Sequence, residues 1–206
     1  MLEFNNLLLN LDHKILLFIN GGHSPLGDTL MWHLSSKSLW IILYLILAYL
    51  IVRKLGFKKS VICFIMIGLL ILFTDQLCAT IIRPIVGRLR PSSPENPISD
   101  FLHFVNDHRG GNYGFPSCHS ANTFALATFL SLIFKNRFVT FILLFWAFSI
   151  SYSRIYLGVH YPTDILCGAL IGSCLAFIIY CLMNYLFRLT DNIKILDNNF
   201  RRFSKD

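Results

Sequence analysis

Five long stretches of this chain carry no Asp, Glu, Lys or Arg: residues 38–52, 60–74, 116–134, 138–153 and 165–187. Nothing constrains the fold more, because each, with its flanks, approaches the ~20 apolar residues that carry a helix across a bilayer. Backbone in lipid must satisfy its own hydrogen bonds, so helices are the expected solution. Composition agrees: 55% of the 206 residues are hydrophobic and 14% charged, with a mean hydropathy of +0.60. The expectation is one all-α domain over residues 1–206, an integral membrane helical bundle of about five transmembrane helices.

Residues 1–35 differ. Leu7, Leu8, Leu9 and Leu11 are cut off from Ile15–Ile19 by Asp12, His13 and Lys14, so no run is long enough to cross. One or two interfacial amphipathic helices are expected instead, broken at Asn20-Gly21-Gly22 and Ser24-Pro25. No basic segment precedes the apolar part, so this region is expected to stay in the mature protein.

The formal charge of +7 is informative through its placement. Arg53, Lys54, Lys58 and Lys59 lie between the first two spans, Lys135 and Arg137 between the third and fourth, and Arg188, Lys194, Arg201, Arg202 and Lys205 after the last. These eleven of the 18 basic residues fall on alternate segments, which places those segments in the cytoplasm. The tail 188–206 is then a cytoplasmic anchor, and the long connection 83–115 faces outward, toward the periplasm in a Gram-negative cell. Scattered charges without a compact stacking motif give no case for nucleic acid. No obligatory protein partner is evident. Of the six cysteines, Cys63, Cys167, Cys174 and Cys181 fall within spans and Cys78 ends one; Cys167, Cys174 and Cys181 repeat every seven residues, as packing residues do. No zinc or disulfide spacing appears, and no metal or other cofactor is expected.

The chemistry sits in three islands at the edges of the apolar runs. The first holds Arg83 and Arg90, seven apart, hence on one face if the segment is helical. Planar guanidiniums suit the oxygens of one phosphate, although two snorkelling arginines at a boundary would look the same. The second, Pro116-Ser117-Cys118-His119, opens an apolar stretch, so the Ser117 hydroxyl and backbone N–H groups face an anion at a helix N-terminus, with His119 in reach as a proton donor. The third joins Arg154 to His160 and Asp164. The last two are four apart, the spacing at which a carboxylate fixes an imidazole tautomer. An Arg154–Asp164 ion pair is the competing reading and leaves His160 unexplained. Ionisable groups at membrane depth are costly and mark function by default.

In order, the islands read [Lys/Arg]-x6-Arg-Pro, Pro-Ser-x-His and Ser-Arg-x5-His-x3-Asp over residues 83–164. This pattern closely resembles the type 2 phosphatidic acid phosphatase (PAP2) superfamily of membrane lipid phosphatases, related in fold to vanadium haloperoxidases. Arg83 stands where the family often has Lys, and Cys118 where Gly is usual, which is expected to narrow the pocket. The resemblance implies that His160 attacks phosphorus to form a phosphohistidine, that Asp164 orients it, and that His119 protonates the leaving oxygen and then activates water. Arg83, Arg90, Ser117, Cys118 and Arg154 would surround the phosphate, without a metal.

The stretches Asn20–Pro25 and Arg109–His119 are similar to those of bacterial envelope phosphatases, which favours a lipid A phosphatase of the inner membrane. Undecaprenyl pyrophosphate, phosphatidylglycerol phosphate and phosphatidate remain open as substrates. So do a lipid phosphotransferase and a non-catalytic lipid transporter, though binding alone needs no paired histidines. Asp75 either braces an arginine of the first island or is partly hydrated. Arg88, His103, His108 and Arg109 grip a second headgroup feature or are simply solvated, and His13, His23 and His33 show no partner pattern.

Overall fold

The computed structural model describes the backbone of residues 2–36 and 38–203 and the side chains of residues 7–36 and 38–190. Lys194, Arg201, Arg202 and Lys205, invoked for the cytoplasmic tail, have side chains outside the described residues. The main helices are α1 (Leu2–Gly21), α2 (Pro25–Ser35), α3 (Ile41–Asp75), α4 (Arg83–Val86), α5 (Cys118–Phe134), α6 (Arg137–Tyr156) and α7 (Pro162–Phe203). Among the described residues there is one isolated β-bridge, Leu89 with Tyr113, and no strand.

The break predicted after Asn20 is present. Helix α1 ends at Gly21, and Ser24 caps α2, its hydroxyl accepting from the Gly27 N–H at 3.1 Å. Asp12, His13 and Lys14 do not interrupt α1, and Asp12 is buried.

Helix α3 is a hairpin. Gly56 has φ 73° and ψ 162°, and the Ser60 hydroxyl donates to the carbonyls of both Gly56 and Ile51. Nine residues of straight helix would separate Ile51 from Ser60 by ~13 Å, so the chain turns back at Gly56, where glycine admits the positive φ. Three helical stretches, 38–86, 137–156 and 162–190, are long and apolar enough to cross a membrane. The first makes two passes, and the apolar α5 adds another, which gives the five expected.

Helix α5 is central, packed on α3, α6 and α7. Its approach to α7 rests on small residues: a Cβ on Gly168 would lie 2.5 Å from the Ser117 carbonyl oxygen, and one on Gly172 only 2.0 Å from that of Ala121. Close backbone contact through small-xxx-small spacing is a membrane-helix device. The Thr128 hydroxyl donates to that of Ser173 at 3.1 Å across the same interface. The core beneath includes Leu47, Ile51, Leu70, Phe129, Leu130 and Trp146. Outward faces are apolar too, as lipid contact requires, with Phe138, Phe141, Phe145 and Phe148 exposed along α6. Cys174 and Cys181 lie on such an exposed face, so the expected packing role does not hold for them.

Candidate active site

The first island is built by a change of helical winding. Residues Gln76–Ile82 form a π-helix, α4 follows for one turn, and Gly87 closes it in the left-handed region at φ 59°. Arg88 to Arg90 are then non-helical, held by Arg90 N–H to Asn112 O at 2.7 Å and Gly114 N–H to Arg88 O at 3.0 Å. The expectation that Arg83 and Arg90 share a helix face is therefore wrong in its premise, because Gly87 ends the helix between them. They converge through that turn. π-Bulges are common at functional sites because they re-aim a side chain without breaking the helix.

His160 lies at the centre, 1% exposed. Arg90 Nη1 is 3.0 Å from its Nε2, and Asp164 Oδ2 is 3.3 Å from its Nδ1. A guanidinium only donates, so Nε2 carries the lone pair and Nδ1 the proton, which faces the carboxylate. Burial, then the charges of Arg90, Arg154 and Arg83, push His160 well below its ordinary value, with the Gly114 carbonyl acting the other way. The ring is thus neutral at pH 7, and the three arginines of the motifs are the ones that act on it. Burial and Arg83 lower Arg90 to about 10, leaving it charged at neutral pH.

The second island caps α5. Ser117 N–H donates to the Asp164 carbonyl at 3.1 Å, the Ser120 hydroxyl donates to Ile165 O at 2.8 Å, and Ser117 Oγ accepts from Ser120 N–H at 3.4 Å. These bonds seat the start of α5 against the start of α7. Arg83 Nη2 donates to Pro116 O at 3.3 Å and to Cys118 Sγ at 2.9 Å, so the residue in place of the usual glycine supports an arginine. Arg154 donates to the Ser35 hydroxyl of α2. Gly158, at φ 71°, turns the chain after α6. The Nε atoms of Arg83 and Arg154 are buried without a protein acceptor, an arrangement that an anion's oxygens would satisfy.

Asp164 does not pair with Arg154. Its Oδ1 accepts from Arg88 Nη1 at 2.9 Å, and its Oδ2 from the Tyr161 N–H at 3.0 Å. Arg88 Nη2 donates to Asp12 Oδ2 at 2.5 Å, and Asp12 Oδ1 accepts from Thr163 N–H at 3.0 Å. The Arg88 guanidinium lies 4.1 Å from the Tyr161 ring centroid. A chain of contacts Asp12–Arg88–Asp164–His160 thus runs from α1 to the imidazole. Sequence reasoning left Arg88 as a headgroup or solvated residue and read Asp12 only as an interruption. The signal available was weak, a carboxylate between the leucines of α1 with His13 and Lys14 directly after it.

His119 stands in the first turn of α5 and, with Cys118, Asn122, Ser35 and Asp75, lines one part of a cavity of about 480 Å³. Most of its remaining wall is apolar, including Tyr44, Leu47 and Ile51 from one arm of the hairpin, Ile67 and Ile71 from the other, and Leu126, Leu130 and Trp146. Asp75 accepts from Asn122 Nδ2 at 3.5 Å. In the loop above, the Arg109 guanidinium lies 4.2 Å from the Phe104 ring centroid, His108 meets Trp32 edge-on and His103 pairs with Asp28. His13 stacks on Tyr161.

Comparison with known proteins matches the PAP2 superfamily model over residues 64–188. The chain is 44% identical over 180 residues to a lipid A 4'-phosphatase of Bacteroides thetaiotaomicron, covering 87% of this chain and 79% of that one. It is 34% identical over 173 residues to a lipid A 4'-phosphatase of Porphyromonas gingivalis, covering 84% and 73%. Among solved structures, LpxE of Aquifex aeolicus superposes with a TM-score of 0.59 at 25% identity, over 81% of this chain and 92% of that one. The PAP2-type phosphatidylglycerolphosphate phosphatase of Bacillus subtilis superposes with a TM-score of 0.61 at 23% identity, over 87% and 88%, a likeness of fold. Motifs, helical bundle, family match and relatives agree: the chain belongs to the PAP2 superfamily.

Proposed function

We propose that this membrane phosphatase removes a phosphate from lipid A at the periplasmic face of the bacterial inner membrane, through a phosphohistidine at His160. The observation that carries the reading is the setting of the buried His160 ring, with Nδ1 facing the Asp164 carboxylate at 3.3 Å and Nε2 facing the Arg90 guanidinium at 3.0 Å, which selects the tautomer with the proton on Nδ1 and the lone pair on Nε2. A lipid phosphate entering between Arg83, Arg90 and Arg154 takes over the Arg90 donor, and the lone pair it releases is aimed at phosphorus. The N–P bond forms as the P–O bond to the lipid breaks, and His119 gives its proton to the departing oxygen. Water then attacks phosphorus, losing its proton to His119, and the N–P bond breaks to release inorganic phosphate. Phosphoryl transfer asks mainly for positioning and for charge on the equatorial oxygens, which the three arginines and the Ser117 end of α5 supply. Gly114 belongs to the same apparatus, because a Cβ there would lie 2.8 Å from Arg90 Cγ and 3.2 Å from Asp164 Oδ2.

The apolar cavity leading from His119 suits acyl chains, and the two lipid A 4'-phosphatases covered over most of their length favour lipid A among lipids that would fit it. The positive-inside distribution supports the outward site, with α1 and α2 lying along the membrane surface. The test is phosphate release by the purified protein from lipid A, undecaprenyl pyrophosphate, phosphatidylglycerol phosphate and phosphatidate. Lipid A is expected to be the preferred substrate, with free phosphate rather than a phosphorylated acceptor as product. Turnover of another member of the panel with lipid A untouched would reject the substrate.

A further inference from the structure

His23, Asp28 and His103 come from three separate pieces of chain: the turn between α1 and α2, the first turn of α2, and the long loop. Their donor atoms nevertheless lie within 4.8 Å of one another. His103 Nε2 is 2.8 Å from Asp28 Oδ2, and the His23 and His103 rings stack with centroids 3.8 Å apart and planes 12° from parallel. None of the three belongs to the apparatus around His160.

Two of these residues are held by partners that leave their donor atoms available. Asn20, 1% exposed, clamps the His103 backbone from both sides, accepting from its N–H at 2.8 Å and donating to its carbonyl at 2.9 Å. The Tyr156 hydroxyl donates to Asp28 Oδ1 at 2.8 Å, which leaves Oδ2 to face the imidazole. Tyr156 is itself fixed, accepting from the Ser24 N–H at 3.1 Å. Such outer partners orient metal ligands, and solvated surface side chains rarely have them.

We propose that His23, Asp28 and His103 form a site for a divalent transition metal of the zinc class, tying the α1–α2 turn to the loop above the active site. Two imidazoles, one carboxylate and an open side for water make an N, N, O, O set that suits tetrahedral zinc, and the absence of a thiolate suits an exposed position. Bonds of ~2.0–2.1 Å place tetrahedral donor atoms ~3.3 Å apart. The His103–Asp28 contact therefore opens slightly and exposed His23 closes from its turn. The metal's role is to hold the loop, and the reaction at His160 does not pass through it.

The test uses the full-length protein in detergent, stripped with a chelator and dialysed, with Co²⁺ and then Zn²⁺ as probes. Wild type is expected to bind one Co²⁺ per chain with the visible absorption of a tetrahedral centre, to lose that band when Zn²⁺ displaces it, and to melt at a higher temperature with Zn²⁺. His23→Ala and Asp28→Asn are expected to lose the absorption and the thermal shift. His23→Ala, altered only on the exposed turn, should retain phosphate release close to wild type, which shows it folded. Wild type without stoichiometric Co²⁺ binding, or His23→Ala binding it as wild type does, would overturn the site.

Discussion

Replacing Arg88 by Gln distinguishes a substrate-gripping arginine from one that positions Asp164. Arg88 Nη1 bonds Asp164 Oδ1 at 2.9 Å and Thr163 Oγ1 at 2.6 Å, while Nη2 bonds Asp12 Oδ2 at 2.5 Å. The two carboxylates are 3% and 1% exposed, so Arg88→Gln takes the directly paired guanidinium from both, at a cost to stability of ~3–5 kcal/mol. Asp164 then loses the bond that fixes the carboxylate it presents to His160. Removing the outer partner of a functional histidine costs ~10–100-fold, or ~1.4–2.7 kcal/mol in the barrier. The assay is steady-state phosphate release by purified Arg88→Gln, Asp12→Asn and the double variant, with melting temperatures measured alongside. The expectation is a fall in kcat with KM little changed and a double variant well short of additive, because Asp12 acts through Arg88. A rise in KM at unchanged kcat would mean that Arg88 binds the headgroup, and additive losses would break the chain of contacts.

Gly172→Ala places a methyl against the Ala121 carbonyl, so α5 and α7 must part, at a cost of ~1–3 kcal/mol, and activity measured below the melting temperature should fall as His119 moves relative to His160. For pH, the depressed His160 means that below 6.5 the unfolded chain takes a proton that the native ring refuses. Stability is therefore full above 6.5 and falls as pH drops toward the folded value, a slope shared by His13 and His108, which burial also lowers. His160→Asn should flatten thermal unfolding against pH by the share of one histidine, and an unchanged slope would mean the ring titrates normally. For topology, a cysteine at exposed Glu95 should react with an impermeant thiol reagent in spheroplasts, in a background lacking accessible native cysteines. One at Lys58 should react only after lysis, and the reverse pattern would put the site on the cytoplasmic leaflet.

The bundle and the centre of the site were legible because both depend on local pattern. Apolar runs report spans directly, and Asn20-Gly21-Gly22 with Ser24-Pro25 reports a helix end and a helix start. The four-residue spacing of His160 and Asp164 survives although only Asp164 is helical, since the turn before α7 keeps them adjacent. What the sequence could not carry was long-range pairing. Asp12 meets Arg88 across 76 residues, and His103 meets Asp28 across 75, so neither leaves a spacing to recognise. The route of Arg90 is hidden for a different reason, because a seven-residue interval suggests a helix, whereas Gly87 terminates it in the left-handed region. The hairpin at Gly56 needed no tertiary information, since Lys54, Lys58 and Lys59 around a glycine already mark a turn outside the membrane.

The central claim is that Nε2 of His160 becomes covalently bonded to phosphorus. Purified protein mixed with lipid A carrying labelled phosphate, quenched in alkali within the first turnover and mapped by mass spectrometry, tests it directly. The account predicts acid-labile, alkali-stable label on the peptide containing His160, absent from His160→Ala and retained, with slower formation, in Asp164→Asn. Label on another residue, or full phosphate release by His160→Ala, would contradict it.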